Sequence, residues 1–102
     1  MYSFVNICIH CSPKKVVHYF RVIVMSEIYL DPKIVGEAIA YFRKKKELSQ
    51  EVLSGLSAIG RTHLSAIERG ERKPTLETLY RISCALDISM SEIVKEIERR
   101  LK

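Results

Sequence analysis

From residue 33 to the end of the chain, apolar positions recur at intervals of three and four. They fall into five runs, and each predicts an amphipathic helix. The first covers 33–46: Ile34, Val35, Ala38, Ile39 and Phe42 form one face, with Asp31 as N-cap and Pro32 at the first position. Ser49 caps a second helix, opened by Gln50 and Glu51, with Val52, Leu53 and Leu56 as its buried side. The small residues Ser54, Gly55, Ser57 and Ala58 then suit a tight turn where two helices cross closely, with Ile59 as an apolar plug. A third helix runs from Gly60 or Arg61 to Arg69, with Leu64 and Ile67 inward and Gly70 as its left-handed stop. Thr75 caps a fourth, with Leu76, Leu79, Ile82, Ala85 and Leu86 at core spacing. Ser89-Met90-Ser91-Glu92 is a capping box between the staple residues Ile88 and Ile93. The fifth helix carries Met90, Ile93, Val94, Ile97 and Leu101.

The third helix is unusual in what it leaves outside. Arg61, Thr62, Ser65, Ala66 and Arg69 are small, polar or cationic, a poor interior but a good match to a DNA groove. Arginine bonds guanine through two donors, serine and threonine bond bases or phosphates, and a methyl touches thymine. Arg61, Thr62, Ser65 and Ala66 are therefore the candidate base contacts. Arg69, with Arg72 and Lys73 in the following loop, is a candidate phosphate contact, and His63 is a surface residue near the backbone.

The runs SQEVL, IGRTHLSAIERG and KPTLETLYRISCALDI resemble the helix-turn-helix family of lambdoid phage repressors, Cro-like proteins and restriction-modification controller proteins. The resemblance covers roughly residues 34–97 without a gap. Gln50, Glu68-Arg69-Gly70, Pro74 and the LETL run carry it. Three positions depart from the usual pattern: Ser54 where Ala is commonest, Ala58 where Gly is usual, and Gly60 where Ser or Thr often begins the helix. The resemblance implies an all-α, compact five-helix, lambda-repressor-like DNA-binding domain. It also implies that Gln50 bonds a phosphate and braces Arg61, and that Arg43 pairs with Glu68 inside the domain. Regulators of this family dimerise, which points to Met90, Val94, Ile97 and Leu101 as the interface, with a palindromic operator on double-stranded DNA. The expected function is a sequence-specific transcriptional regulator in the cytoplasm, with no cofactor and no bound metal.

Composition changes this picture in one place. The 102-residue chain carries 17 basic and 12 acidic residues, net +5. Residues 1–26 hold Lys14, Lys15 and Arg21 and no acid, so +3 of the net charge lies there; 27–102 has 14 basic and 12 acidic residues, net +2. DNA binding therefore depends on where the charges sit, not on bulk charge. The same segment is non-helical or β-prone in composition, and reads as a β-hairpin, as disorder, or as a misassigned start ahead of Met25, with the domain at 27–102. Its longest apolar run is far short of the roughly 18 residues of a membrane span. Cys8 and Cys11, with His10 and His18, do not complete the four-ligand set of structural zinc. Cys84 is an ordinary helix residue, and three cysteines make no disulfide framework. No paired carboxylates, phosphate loop or histidine-based nucleophile suggests an enzyme. The alternative function is an antitoxin or adaptor of the same fold whose task is to bind a protein.

Overall fold

The computed structural model describes residues 28–102. The readings of residues 1–26 (hairpin, disorder, misassigned start, and zinc at Cys8 and Cys11) lie outside it. Five helices and no strand occur among the described residues: α1 (Pro32–Lys45), α2 (Gln50–Ser57), α3 (Arg61–Glu68), α4 (Leu76–Leu86) and α5 (Met90–Leu101).

Their starts follow local chemistry. The side chains of Asp31, Ser49, Thr75 and Ser89 each accept a first-turn backbone N–H, which satisfies donors that have no partner within the helix. At α5 the box closes in both directions between Ser89 and Glu92. The ends share one device. A residue of positive φ follows each of the first four helices: Glu47, Ala58, Gly70 and Asp87. The next N–H then reaches back five residues: Leu48 to Arg43 O, Ile59 to Ser54 O, Glu71 to Ala66 O and Ile88 to Ser83 O, at 2.9–3.1 Å. In three of these motifs the residue after the turn, Leu48, Ile59 or Ile88, is apolar and packs on the core. Only Gly70 among the four turn residues lacks a Cβ, so three helices end on a residue with a conformational cost.

The helices pack in a closed ring: α1 against α3 and α5, α3 against α2, α2 against α4, and α4 against α5. Ile39, Leu53, Leu64, Ile67, Ile82, Leu86 and Ile93 fill the middle and are fully buried. Each such side chain contributes roughly 1.5–3 kcal/mol of burial.

The burial of α2 corrects the sequence reading. Val52 and Leu56 are 47% and 61% exposed, while Ser54 and Ser57 are buried beside Leu53. The ring explains it. α2 is pressed between α3 and α4, and only small residues allow backbones that close. The serine hydroxyls turn back on their own helix, Ser54 to Glu51 O at 2.9 Å and Ser57 to Leu53 O at 2.6 Å, so neither is buried without a partner. Ser83 of α4 does the same to Tyr80 O. Leu76, placed in the core by spacing, is 74% exposed. It is the first residue of α4.

Gly36 was not singled out by its pattern. A Cβ there would stand 2.2 Å from Ile67 O and 2.7 Å from Glu68 O, so α1 and the end of α3 touch backbone to backbone.

Candidate nucleic-acid interface

At about 100° per residue, Arg61, Ser65, Arg69 and Thr62 share an arc of about 100° on α3. Arg61, Thr62 and Arg69 are exposed and Ser65 is partly so. Leu64 and Ile67 anchor the opposite side in the core. Gly60 precedes the helix in an extended conformation and supplies no side-chain cap. The positive end of α3 is thus open at the surface, an arrangement that favours anions.

One buried network sets how α3 is presented. Arg43 donates from Nε to Glu68 Oε2 at 2.8 Å and from Nη2 to Oε1 at 3.0 Å. Its Nη1 donates to Leu48 O at 2.8 Å. Gln50 Nε2 donates to Glu68 Oε1 at 2.9 Å. The Arg43 and Glu68 side chains are only 12% and 6% exposed. Glu68 therefore ties α1, α2 and α3 together at the foot of the recognition face, and the planar two-donor fork fixes direction as well as distance. The brace from Gln50 goes to Glu68, not to Arg61 as the family resemblance implies. Glu68 takes one of the two amide N–H donors of Gln50.

The structure separates the remaining candidates. Ala66 is 8% exposed. It stands at the floor of an open depression of about 360 Å³ shared with Gly60, Thr62, His63 and Arg72, not on the outer stripe. The reason is angular: Ala66 lies about 40° beyond Thr62, on the side that turns back towards the core. His63 borders the same depression, and its Nε2 is buried with no hydrogen-bond partner among the described residues. Its Nε2 turns inward and the residue is half-buried, where the sequence places a surface residue near the DNA backbone. Arg72 faces this depression, but Lys73 does not. The Lys73 ammonium sits 4.7 Å from the Tyr29 ring centroid, at the rim of an apolar groove formed by α1, α4 and α5. That cation–π contact draws it away from α3.

Arg69 is engaged where a free phosphate ligand was expected. Its Nε and Nη2 donate to Glu71 at 2.8 and 3.0 Å, and its Nη1 donates to Ser65 Oγ. The Arg69 guanidinium holds the Glu71 carboxyl below the usual range, by hydrogen bond first and by charge second. By its sequence position Glu71 is only a loop residue. Its signal was a carboxylate two residues after an arginine, in a turn where the two side chains meet.

On α5 the expected interface divides. Ile97 is 7% exposed and belongs to this domain's own core, and Met90 is partly buried against it. Val94 and Leu101 remain 41% and 46% exposed. A helix lying on α1 and α4 must bury the residues facing both, and Ile97 is one of them. No described helix is long and apolar enough to cross a membrane.

Comparison with known proteins agrees with this geometry. A family model described as helix-turn-helix matches residues 39–93. The uncharacterized HTH-type transcriptional regulator y4dJ of Sinorhizobium fredii is 42% identical over 62 residues, 61% of this chain and 80% of that protein. The control protein C.MunI of a Mycoplasma species is 38% identical over 65 residues, 63% of this chain and 88% of that protein. Among solved structures, the restriction-modification controller protein C.AhdI of Aeromonas hydrophila superposes with a TM-score of 0.61 at 35% identity, over 64% of this chain and 98% of that one.

Proposed function

The chain belongs to the helix-turn-helix family of DNA-binding transcriptional regulators, and from that premise we propose that it works as a cytoplasmic homodimeric repressor or controller that inserts α3 into the major groove. The observation that carries this reading is the buried Arg43–Glu68–Gln50 network beneath α3. It holds the stripe of Arg61, Thr62 and Ser65 rigidly outward, and preorganised side chains lose less freedom on binding. Gln50 and Arg72, with the open end of α3, supply phosphate contacts that set register, while Arg61 and Thr62 reach base edges. Two copies joined through Val94, Leu101 and their surroundings present two such helices. A two-fold pair reads half-sites about 34 Å apart, hence a palindromic operator. The relatives named above are an HTH-type transcriptional regulator, a control protein and a restriction-modification controller protein, and none of these names favours the antitoxin reading.

Selection of bound sequences from a random DNA pool tests the proposal: an enriched site with two-fold symmetry is expected. On that site Arg61→Ala is expected to cost about 1–3 kcal/mol and to relax one base position. An equal loss on every sequence would show that Arg61 does not read a base.

A further inference from the structure

Arg69 stands on the exposed stripe of α3 with its donors already partly assigned. Five N–H groups surround a guanidinium. Glu71 takes one from Nε and one from Nη2, and Ser65, one turn back on α3, takes one from Nη1. What remains is one N–H on each terminal nitrogen. Such a pair is the fork that matches O6 and N7 of guanine in the major groove. We propose that Arg69 reads a guanine edge instead of gripping a phosphate, with Glu71 as the positioning residue that fixes its plane. The inference rests on the reading of α3 as the recognition helix.

Charge favours the same choice. The carboxylate of Glu71 cancels the attraction that a bare arginine has for phosphate and opposes a phosphate at short range. It does not weaken the directed donors that a base edge needs. Nor does it waste a contact at Ser65, whose Oγ accepts from Arg69 and keeps its own O–H as a donor for a neighbouring base acceptor. Spacing then makes the proposal specific. Arg61 and Arg69 are eight residues apart on one stripe, about 12 Å along the helix. With about 3.4 Å between successive bases, they address positions about three to four base pairs apart.

The test uses the full chain and the site enriched by selection. Affinity is measured on that site and on each single base-pair substitution, at several salt concentrations, for the wild type, Arg61→Ala, Arg69→Ala and Glu71→Gln. Arg69 and Glu71 are exposed, so neither change threatens the fold. Arg69→Ala is expected to lose about tenfold on the enriched site. It should relax one base pair, about three to four pairs from the one relaxed by Arg61→Ala, with the salt dependence little altered. Glu71→Gln should blur discrimination at that same pair while raising affinity for unrelated DNA. A uniform loss on all sequences with Arg69→Ala, together with a salt slope lower by about one unit, identifies a phosphate contact and overturns the proposal alone. Unchanged discrimination with Glu71→Gln overturns the positioning role. If no sequence is enriched, the reading of α3 fails and this inference fails with it.

Discussion

Gly36→Ala isolates the contact on which the placement of α3 depends. The added methyl would lie 2.2 Å from Ile67 O, 2.7 Å from Glu68 O and 2.9 Å from Glu68 C, all backbone atoms of the neighbouring helix. An ordinary carbon–oxygen contact is about 3.3 Å, so α1 and α3 must separate by about 1 Å. No flexible side chain absorbs the shift, which puts the cost at the top of the overpacking range, about 3 kcal/mol. Alanine returns about 1 kcal/mol as a better helix former than glycine. The net expectation is a loss of about 2 kcal/mol. For a domain of this size that lowers Tm by about 8–16 °C. The assay is urea unfolding followed by circular dichroism, where the midpoint should fall with the slope unchanged. Gly55→Ala is the internal control. Gly55 is also helical, but a Cβ there meets nothing within 4 Å. It should therefore gain about 1 kcal/mol. If Gly36→Ala is as stable as the wild type, or gains as Gly55→Ala does, the close crossing of α1 and α3 is refuted.

Three further outcomes follow from the same structure. Ala58 adopts φ 58° and ψ 40° between α2 and α3, so Ala58→Gly should raise stability by about 1 kcal/mol, and a destabilised variant in thermal melts would contradict that turn geometry. Arg43→Ala leaves the buried Glu68 carboxylate without its cation and should cost about 3–5 kcal/mol, whereas Arg43→Met combined with Glu68→Leu should recover most of it; denaturant midpoints that rank the double variant below the single one would reject this account. The Glu71 carboxyl is lowered from 4.5, so the folded state holds that proton more weakly than the unfolded state does. The stabilisation from its pair with Arg69 is therefore present above that value and lost as pH falls through the lower folded one. A carboxyl NMR titration should show the shift in the wild type and its disappearance in Arg69→Ala, and an unshifted Glu71 in the wild type would count against the pair.

The helices and their limits were legible in the sequence because the forces that set them are local. Asp31, Ser49, Thr75 and Ser89 each bond within the next three residues, and Gly70 needs nothing beyond its own backbone to end α3. The five-run apolar pattern was enough for the fold class, and the resemblance to known regulators supplied the Arg43–Glu68 pair, whose partners lie 25 residues apart. The positions misread are those where burial depends on a neighbour. Periodicity states which residues share a face, but not where the next helix lies around it. The spacing puts Val52 and Leu56 in the core, but the close approach of α3 and α4 buries Ser54 and Ser57 instead. The stripe on α5 points Ile97 to a partner, but packing against α1 and α4 buries it within the domain.

By itself, then, the sequence determined five helices, four of them opened by a side-chain cap, and a third helix with a polar, cationic outer face. Only the tertiary structure decided how that face is made up. It buried Ala66, set the Lys73 ammonium over the Tyr29 ring, turned Nε2 of His63 inward, joined Gln50 to Glu68, and set Arg69 between Ser65 and Glu71. The physical reason is that helix caps and spacing act within one chain segment. The direction of an arginine fork, or the burial of a methyl, is set by whichever groups the rest of the fold brings within about 3–4 Å of it.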